Sequence, residues 1–360
     1  MKKQLVVALG LAVLATPAFA SKARLLALGE SADGSFFIND NRNIFLNSAE
    51  VNNHKDLVTF EWGSGAADAE GGFLKAHNNL VYGLQLGREN SMNDTVSSLH
   101  GGAADAYQLS NTIDVFVGGD AGIKWGANLT YGAGEDEAFT SGTAGTAETE
   151  GRTVDLNLGV VMGDLSAYVK AGVLGKVEQT DADATDLFDL EVERKLDVEV
   201  GAAYKLQNYT VFGQVGMSKF EENETNEELK NQALSLGVAR VEKLNDKTSM
   251  FVKLSGNYSK TEFDNATTND QKNITVPVSI GLEHDATSWL ALRGSIMQNL
   301  WSKLDNDGDK STEASSTSVN AGASLLFGDL TVDGVIGAAA TGGTLGFNDT
   351  LSQVSMTYRF

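Results

Sequence analysis

The sequence predicts an all-β fold, a transmembrane antiparallel β-barrel of about sixteen strands, with fourteen as the alternative count. Three observations predict it. An export-type segment opens the chain, apolar and polar residues alternate from about residue 56 to the C-terminus, and the connections between alternating stretches are short and long in turn.

The first twenty residues have the three parts of a secretory signal: Lys2 and Lys3, an apolar run from Leu5 to Leu14, and the small-residue pattern Ala18-Phe19-Ala20 before a cleavage point. Removing them leaves 340 of the 360 residues and, with two lysines gone, moves the formal charge from −21 to −23. No later stretch is apolar over the roughly 20 residues that a spanning helix needs, which excludes a helical membrane bundle. Cysteine is absent, so disulfides, thiol nucleophiles and cysteine-based metal centres are excluded as well. The surplus of Asp and Glu argues against a nucleic-acid partner, which calls for a basic surface.

The alternation has period two and sorts residues onto opposite faces of a sheet. In 123–131, Ile123, Trp125, Ala127, Leu129 and Tyr131 share one face, and Lys124, Gly126, Asn128 and Thr130 the other. Segment 274–283 and the last stretch, with Val354, Met356, Tyr358 and Phe360 against Gln353, Ser355, Thr357 and Arg359, repeat it. Strands are expected over 56–62, 71–77, 79–88, 111–118, 122–132, 152–162, 165–177, 193–205, 208–220, 231–242, 247–262, 271–283, 287–302, 315–327, 329–339 and 350–360. Tight turns near Asn78, Gly119-Asp120, Gly163-Asp164, Gln207, Asn245, Asp285 and Gly328-Asp329 alternate with polar excursions at 89–110, 133–151, 178–192, 221–230, 263–270, 303–314 and 340–349. Short periplasmic turns and long outer loops are the rhythm of an outer-membrane barrel. A soluble β-sandwich also alternates, but accounts less well for this loop asymmetry.

Carrying the alternation along each strand nominates Asp114, Lys124, Asp155, Lys170, Lys195, Asp197, Glu199, Lys253, Arg293, Asp333 and Arg359 as pore-lining candidates, with Lys176 on the same face. Trp125, Tyr131, Tyr204, Tyr209, Tyr258, Tyr358 and Phe360 fall on the outer face, where aromatic rings anchor a barrel at the membrane interfaces. Phe116, Phe212 and Phe251 fall inside, positioned to narrow a pore or to pack on an internal segment. Residues 21–53, of mixed polar and apolar character, precede the barrel of 54–360 and are expected as a plug or periplasmic contact.

With its export segment, its alternating wall and its terminal Tyr358-Arg359-Phe360, the chain resembles outer-membrane β-barrels of Gram-negative bacteria of porin type. The resemblance implies that Tyr358 and Phe360 form the insertion signal read by the barrel-insertion machinery, and that a homo-oligomer is possible. Leu28-Gly29, Asp40 and Leu46-Asn47-Ser48-Ala49 resemble, more weakly, the hatch-bearing FadL family of hydrophobic-substrate transporters. That family often has Asn-Pro-Ala in place of Asn47-Ser48-Ala49, and usually has fourteen strands.

Acid is concentrated in the expected outer loops: Glu135, Asp136, Glu137, Glu148 and Glu150; Asp181, Asp183, Asp186, Asp189 and Glu191; Glu221, Glu222, Glu224, Glu227 and Glu228. Asp305-Asn306-Asp307-Gly308-Asp309 is rich in oxygen ligands but lacks the spacing of a calcium loop. His54, His77, His100 and His284 form no HExxH motif, and neither a phosphate-cradling loop nor a GxSxG elbow is present. No catalytic residue, metal or cofactor is therefore expected. The expected function is passive passage of small hydrophilic solutes across the outer membrane with modest cation preference, among lipid partners. A hatch-gated transporter of hydrophobic compounds and a structural barrel without a pore are the alternatives.

Overall fold

The computed structural model describes residues 21–63, 69–93, 95, 109, 111–141, 145–181, 190–223, 227–264, 270–307, 309–312, 316–341, 344–345 and 351–360. The expected export segment 1–20 lies outside these, as do Glu137, Glu148, Asp183, Asp186, Asp189 and Glu224 in part or whole. Sixteen strands form the wall: β1 Leu57–Trp62, β2 Glu70–His77, β3 Leu80–Arg88, β4 Thr112–Asp120, β5 Lys124–Ser141, β6 Gly145–Met162, β7 Leu165–Asp181 and β8 Leu190–Leu206 make the first half. The second half is β9 Tyr209–Glu222, β10 Glu227–Asn245, β11 Thr248–Phe263, β12 Gln271–Asp285, β13 Leu290–Asn306, β14 Thr317–Phe327, β15 Leu330–Thr341 and β16 Leu351–Arg359. Short strand pieces at Asp309–Ser311 and Thr344–Leu345 extend two of the hairpins.

Each strand pairs antiparallel with its sequence neighbours, and β1 pairs with both β2 and β16, Leu57 lying opposite Leu74 on one side and Arg359 on the other. The sheet is thereby closed, which removes the free edges that hydrocarbon could not satisfy. At one end the turns are two to four residues long. Gly163 and Gly328, at φ +58° and +64°, supply the left-handed backbone that two of these turns require. At the other end β5 and β6, each of 18 residues, run well past the ~10 residues needed to cross the hydrocarbon. Much of the expected loop 133–151 is therefore a projecting hairpin.

The outer surface carries Leu129, Leu158, Val160, Val200, Val211, Val215, Leu236, Leu254, Ile280 and Ile296, all substantially exposed. Rings flank this apolar band at both levels: Trp125, Tyr204, Tyr209, Trp289, Phe327 and Phe360 toward the short turns, and Trp62, Tyr131 and Trp301 toward the long connections. An exposed apolar band between aromatic girdles is a lipid-facing surface.

The described ladders carry six register shifts, three of them well inside long strands. Val173 is an extra residue in β7 between Gly172 and Leu174, Lys195 in β8 between Arg194 and Leu196, and Leu300 in β13 between Asn299 and Trp301. A bulge sets two consecutive side chains on one face and inverts the facing of everything beyond it. Lys195, nominated as pore-lining, consequently sits on the outer side with Glu193 at 2.5 Å and Glu221 at 3.4 Å. Lys176 lies outside as well, against Glu178 and Glu191. In their place Val177, Val192 and Arg194 turn inward and are buried.

Candidate functional site

Residues Ser21–His54 lie inside the barrel at its short-turn end. Ser21 caps helix α1, Lys22–Ala27, its hydroxyl accepting from the Arg24 amide at 3.1 Å. The small faces of Ala23 and Ala27 let this helix approach the wall, where they pack with Val335, while Leu25 and Leu28 join Ile38 and Phe251. A second short helix, α2 Asn43–Leu46, leads into a 3-10 turn, Ser48–Asn52. That turn rests on glycines: a Cβ at Gly126 would fall 2.1 Å from the Ser48 carbonyl oxygen, and one at Gly159 would collide with the Asn47 side chain. Asn47 Nδ2 donates to Ser166 Oγ at 2.8 Å, and the single Ser48 hydroxyl proton is shared between the carbonyls of Gly126 at 2.8 Å and Asn157 at 3.0 Å. The inner phenylalanines meet this segment: Phe116 packs edge-on to Phe45 at 5.7 Å and Phe212 stacks on Phe36 at 5.0 Å.

Ion clusters fix the segment at both ends. Arg24 holds Asp40 at 3.0 Å and Glu283 at 2.9 Å, and Glu283 continues to Arg293 and on to Asp333. Arg42 holds Glu61 and Glu70, each at 2.8 Å, with Asp33 at 3.3 Å; Lys22 adds a contact to Glu70 and Arg88 one to Asp33. Glu30 pairs with Lys253, and Lys124 reaches Asn53. Burial disfavours the charge on Arg24, but Glu283 and Asp40 outweigh it and raise its pKa. Burial carries Asp40 up to about 6 against the pull of Arg24. His54, buried beside Arg359, Arg24 and Lys124, is driven down to about 3, first by desolvation and then by those charges.

Of the nominated residues, Asp114, Lys124, Asp155, Lys170, Asp197, Glu199, Lys253, Arg293, Asp333 and Arg359 lie on the inner face, but they do not form one bare lining. Lys124 and Lys253 contact the N-terminal segment, and Arg293 and Asp333 back the Arg24 cluster. Asp155 and Asp197 flank Arg194, and Lys170 meets Glu199 at 3.0 Å. Asp114, fully buried, receives Thr130 Oγ1 at 2.6 Å and Arg88 at 3.6 Å. Arg359 lies at the β1–β16 seam. Tyr358 and Phe360 face outward, with Lys75 over the Phe360 ring at 4.6 Å.

The connection 89–110, expected as an outer excursion, turns inward at the residues described there. Met92 and Leu109 are buried against Val177, Val192, Phe220 and Leu229, and Arg194 donates to Ser91 at 3.3 Å. Met92 and Leu109 were among the apolar residues of this stretch, with Val96 and Leu99, that offered a signal.

The segment favours one half of the wall. Its helices and 3-10 turn rest on β13–β16 and β3–β6. Along β7–β12 a cavity of about 1050 Å³ remains at the short-turn mouth, bordered by Ser35–Asn39 of the segment and by Tyr168, Lys205, Thr210, Lys243 and Phe251 of the wall. Farther along the lumen is a second space of about 310 Å³, lined in part by Glu199, Gln214, Ser235 and Asn257. Phe36, Tyr168 and Phe212 form an aromatic shelf bordering the first, and the single Tyr168 hydroxyl proton is shared between Glu199 Oε1 at 2.9 Å and Gln214 Oε1 at 3.1 Å beside the second.

A closed wall, an apolar outer band and a charged, polar interior decide the class. The protein is an outer-membrane β-barrel.

No family model and no curated protein matches the chain. Among solved structures it is similar to a loop-deletion mutant of the Vibrio cholerae outer membrane protein OmpT, at 12% identity and TM-score 0.40, covering 85% of this chain and 97% of that one. A porin matches at 14% identity and TM-score 0.39, over 84% and 99% of the two chains. The Acinetobacter baumannii outer membrane channel DcaP matches at 11% identity and TM-score 0.38, over 85% and 95%. At these levels the functional reading rests on the barrel's own geometry.

Proposed function

We propose that the barrel is a passive channel for small hydrophilic solutes, with the N-terminal segment partly filling it and the path running beside that segment along β7–β12. The observation that carries this is the uneven placement of the segment: its helices and 3-10 turn pack on β13–β16 and β3–β6, while toward β7–β12 it makes scattered contacts and leaves a large cavity of mixed polarity. A barrel of about sixteen strands is wide enough to hold an aqueous path, and the space of about 1050 Å³ beside the segment is where it runs. Nothing in this mechanism needs a cofactor or an energy source. The surplus of carboxylates in the chain supports a modest preference for cations, because negative potential concentrates them at the mouth.

Planar-bilayer recording of the processed protein tests the reading. Discrete conductance steps are expected, with cation preference that fades as salt shortens the screening length to about 3 Å at 1 M. Neutralising Asp305, Asp307 and Asp309 together lowers that preference only slightly. Folded, inserted protein that forms no channels overturns the proposal; channels with persistent anion preference overturn the charge assignment alone.

A further inference from the structure

We propose that the inner wall spanning β9–β12 is a binding subsite for an uncharged, hydroxyl-rich solute of the saccharide or polyol class, a reading that rests on the passive-channel proposal for delivery of that solute. Four neighbouring strands contribute one inward side chain each at matched register: Gln214 lies opposite Ser235, Ser235 opposite Asn257, and Asn257 opposite Thr275. Ser235 Oγ donates to Asn257 Oδ1 at 2.7 Å, and Asn257 Nδ2 donates to Thr275 Oγ1 at 3.3 Å. The result is a continuous rung of fixed donors and acceptors along the 310 Å³ space, whose size lies at the small end of ligand cavities, about 300–1,000 Å³.

Two further observations point to a hydroxyl ligand. Asn273 Oδ1, in the same lining, is shielded from solvent without a hydrogen-bond partner, an acceptor placed for an incoming O–H. The Tyr168 hydroxyl engages Gln214 Oε1, which turns the donor end of that amide away from the ring. The one charged group in this lining, Glu199, is already matched by Lys170 at 3.0 Å. A cation or anion would therefore find its counter-charge occupied, and an apolar solute would leave the amides unpaired. A polyol can exchange hydrogen bonds with every member of the rung.

The test uses the processed protein in a detergent without a sugar headgroup, titrated calorimetrically with short glucose oligomers, and the same oligomers added to bilayers. Weak, saturable binding and reversible block of the ion current are expected. The near-isosteric Thr275→Val and the larger Asn257→Leu should each weaken binding by up to about tenfold, the scale of one hydrogen bond. Conducting channels with neither heat nor block overturn this inference while leaving the passive-channel reading in place. Binding that survives in both variants also overturns it. Heat of binding in protein that forms no channels supports the subsite and counts against the channel.

Discussion

The two halves of the barrel interior use the same alternation to opposite ends. Along β13–β16 and β1–β6 the wall offers glycines, small residues and carboxylates, and these are consumed by the N-terminal segment: Gly126 and Gly159 admit its backbone, while Glu61, Glu70 and Asp333 complete its ion clusters. Along β8–β12 the segment touches the wall at separate points, Phe36 on Phe212, Glu30 on Lys253, Leu25 and Ile38 on Phe251 and Arg24 on Glu283, and beyond these lie amides and hydroxyls that bond to one another. Inward polarity alone therefore does not mark a pore lining. What distinguishes the halves is whether the groups are satisfied by the chain's own segment or left facing water.

The sharpest way to break this contrast is to remove a charge from each half. Arg42→Met leaves Glu61 and Glu70 buried without their shared cation, and undocking of the segment should be favoured by about 3–5 kcal/mol. Lys170→Met breaks a pair whose members are each about one-third exposed, and less than about 1 kcal/mol is expected. Because the chain has no cysteine, a spin label on Ser31→Cys reads segment mobility directly. Equal mobility in the two variants would dissolve the distinction.

A smaller effect comes from glycine. Gly159→Val drives a side chain into Asn47 and should loosen the segment by about 1–3 kcal/mol. Gly216→Val, whose Cβ would meet its nearest neighbour at 3.8 Å, should leave the segment in place. The same label, with conductance as a second readout, compares them.

The smallest effect is on pH dependence, where two buried groups oppose each other. His54 is held neutral, its pKa depressed to about 3, so its contribution to docking is complete above the ordinary histidine value and is lost as pH falls toward 3. Asp40, raised to about 6, acts with the opposite sign: docking gains as pH falls through 6 toward the usual carboxylate range. Acidification therefore loosens the segment through His54 and tightens it through Asp40. In His54→Leu the label should instead become less mobile in acid; loosening that persists would assign the effect elsewhere.

Strand number and most strand facings were legible in the sequence because each segment carries its own period, as 274–283 does. Facing failed at Lys176 and Lys195 because a bulge is one residue of pairing geometry, invisible to composition, and it reverses every assignment beyond it. The candidate site was less legible still. That Arg24 would meet Glu283, or Arg42 meet Glu61 and Glu70, depends on contacts between distant parts of the chain. The inward turn within 89–110 had a few scattered apolar residues, Met92 and Leu109 among them, and no period to announce it. The β9–β12 rung was readable as inward polar residues, but its freedom from the segment was not.

Helix α1 straddles the place where the first and last strands meet. The Lys22 amide donates to Glu61 of β1 at 2.8 Å, and the next amide, Ala23, donates to Ser355 of β16 at 3.4 Å. Two consecutive residues thus staple the seam from within. For the closed wall this means that a chain lacking the segment loses two fastenings at the joint between its first and last strands.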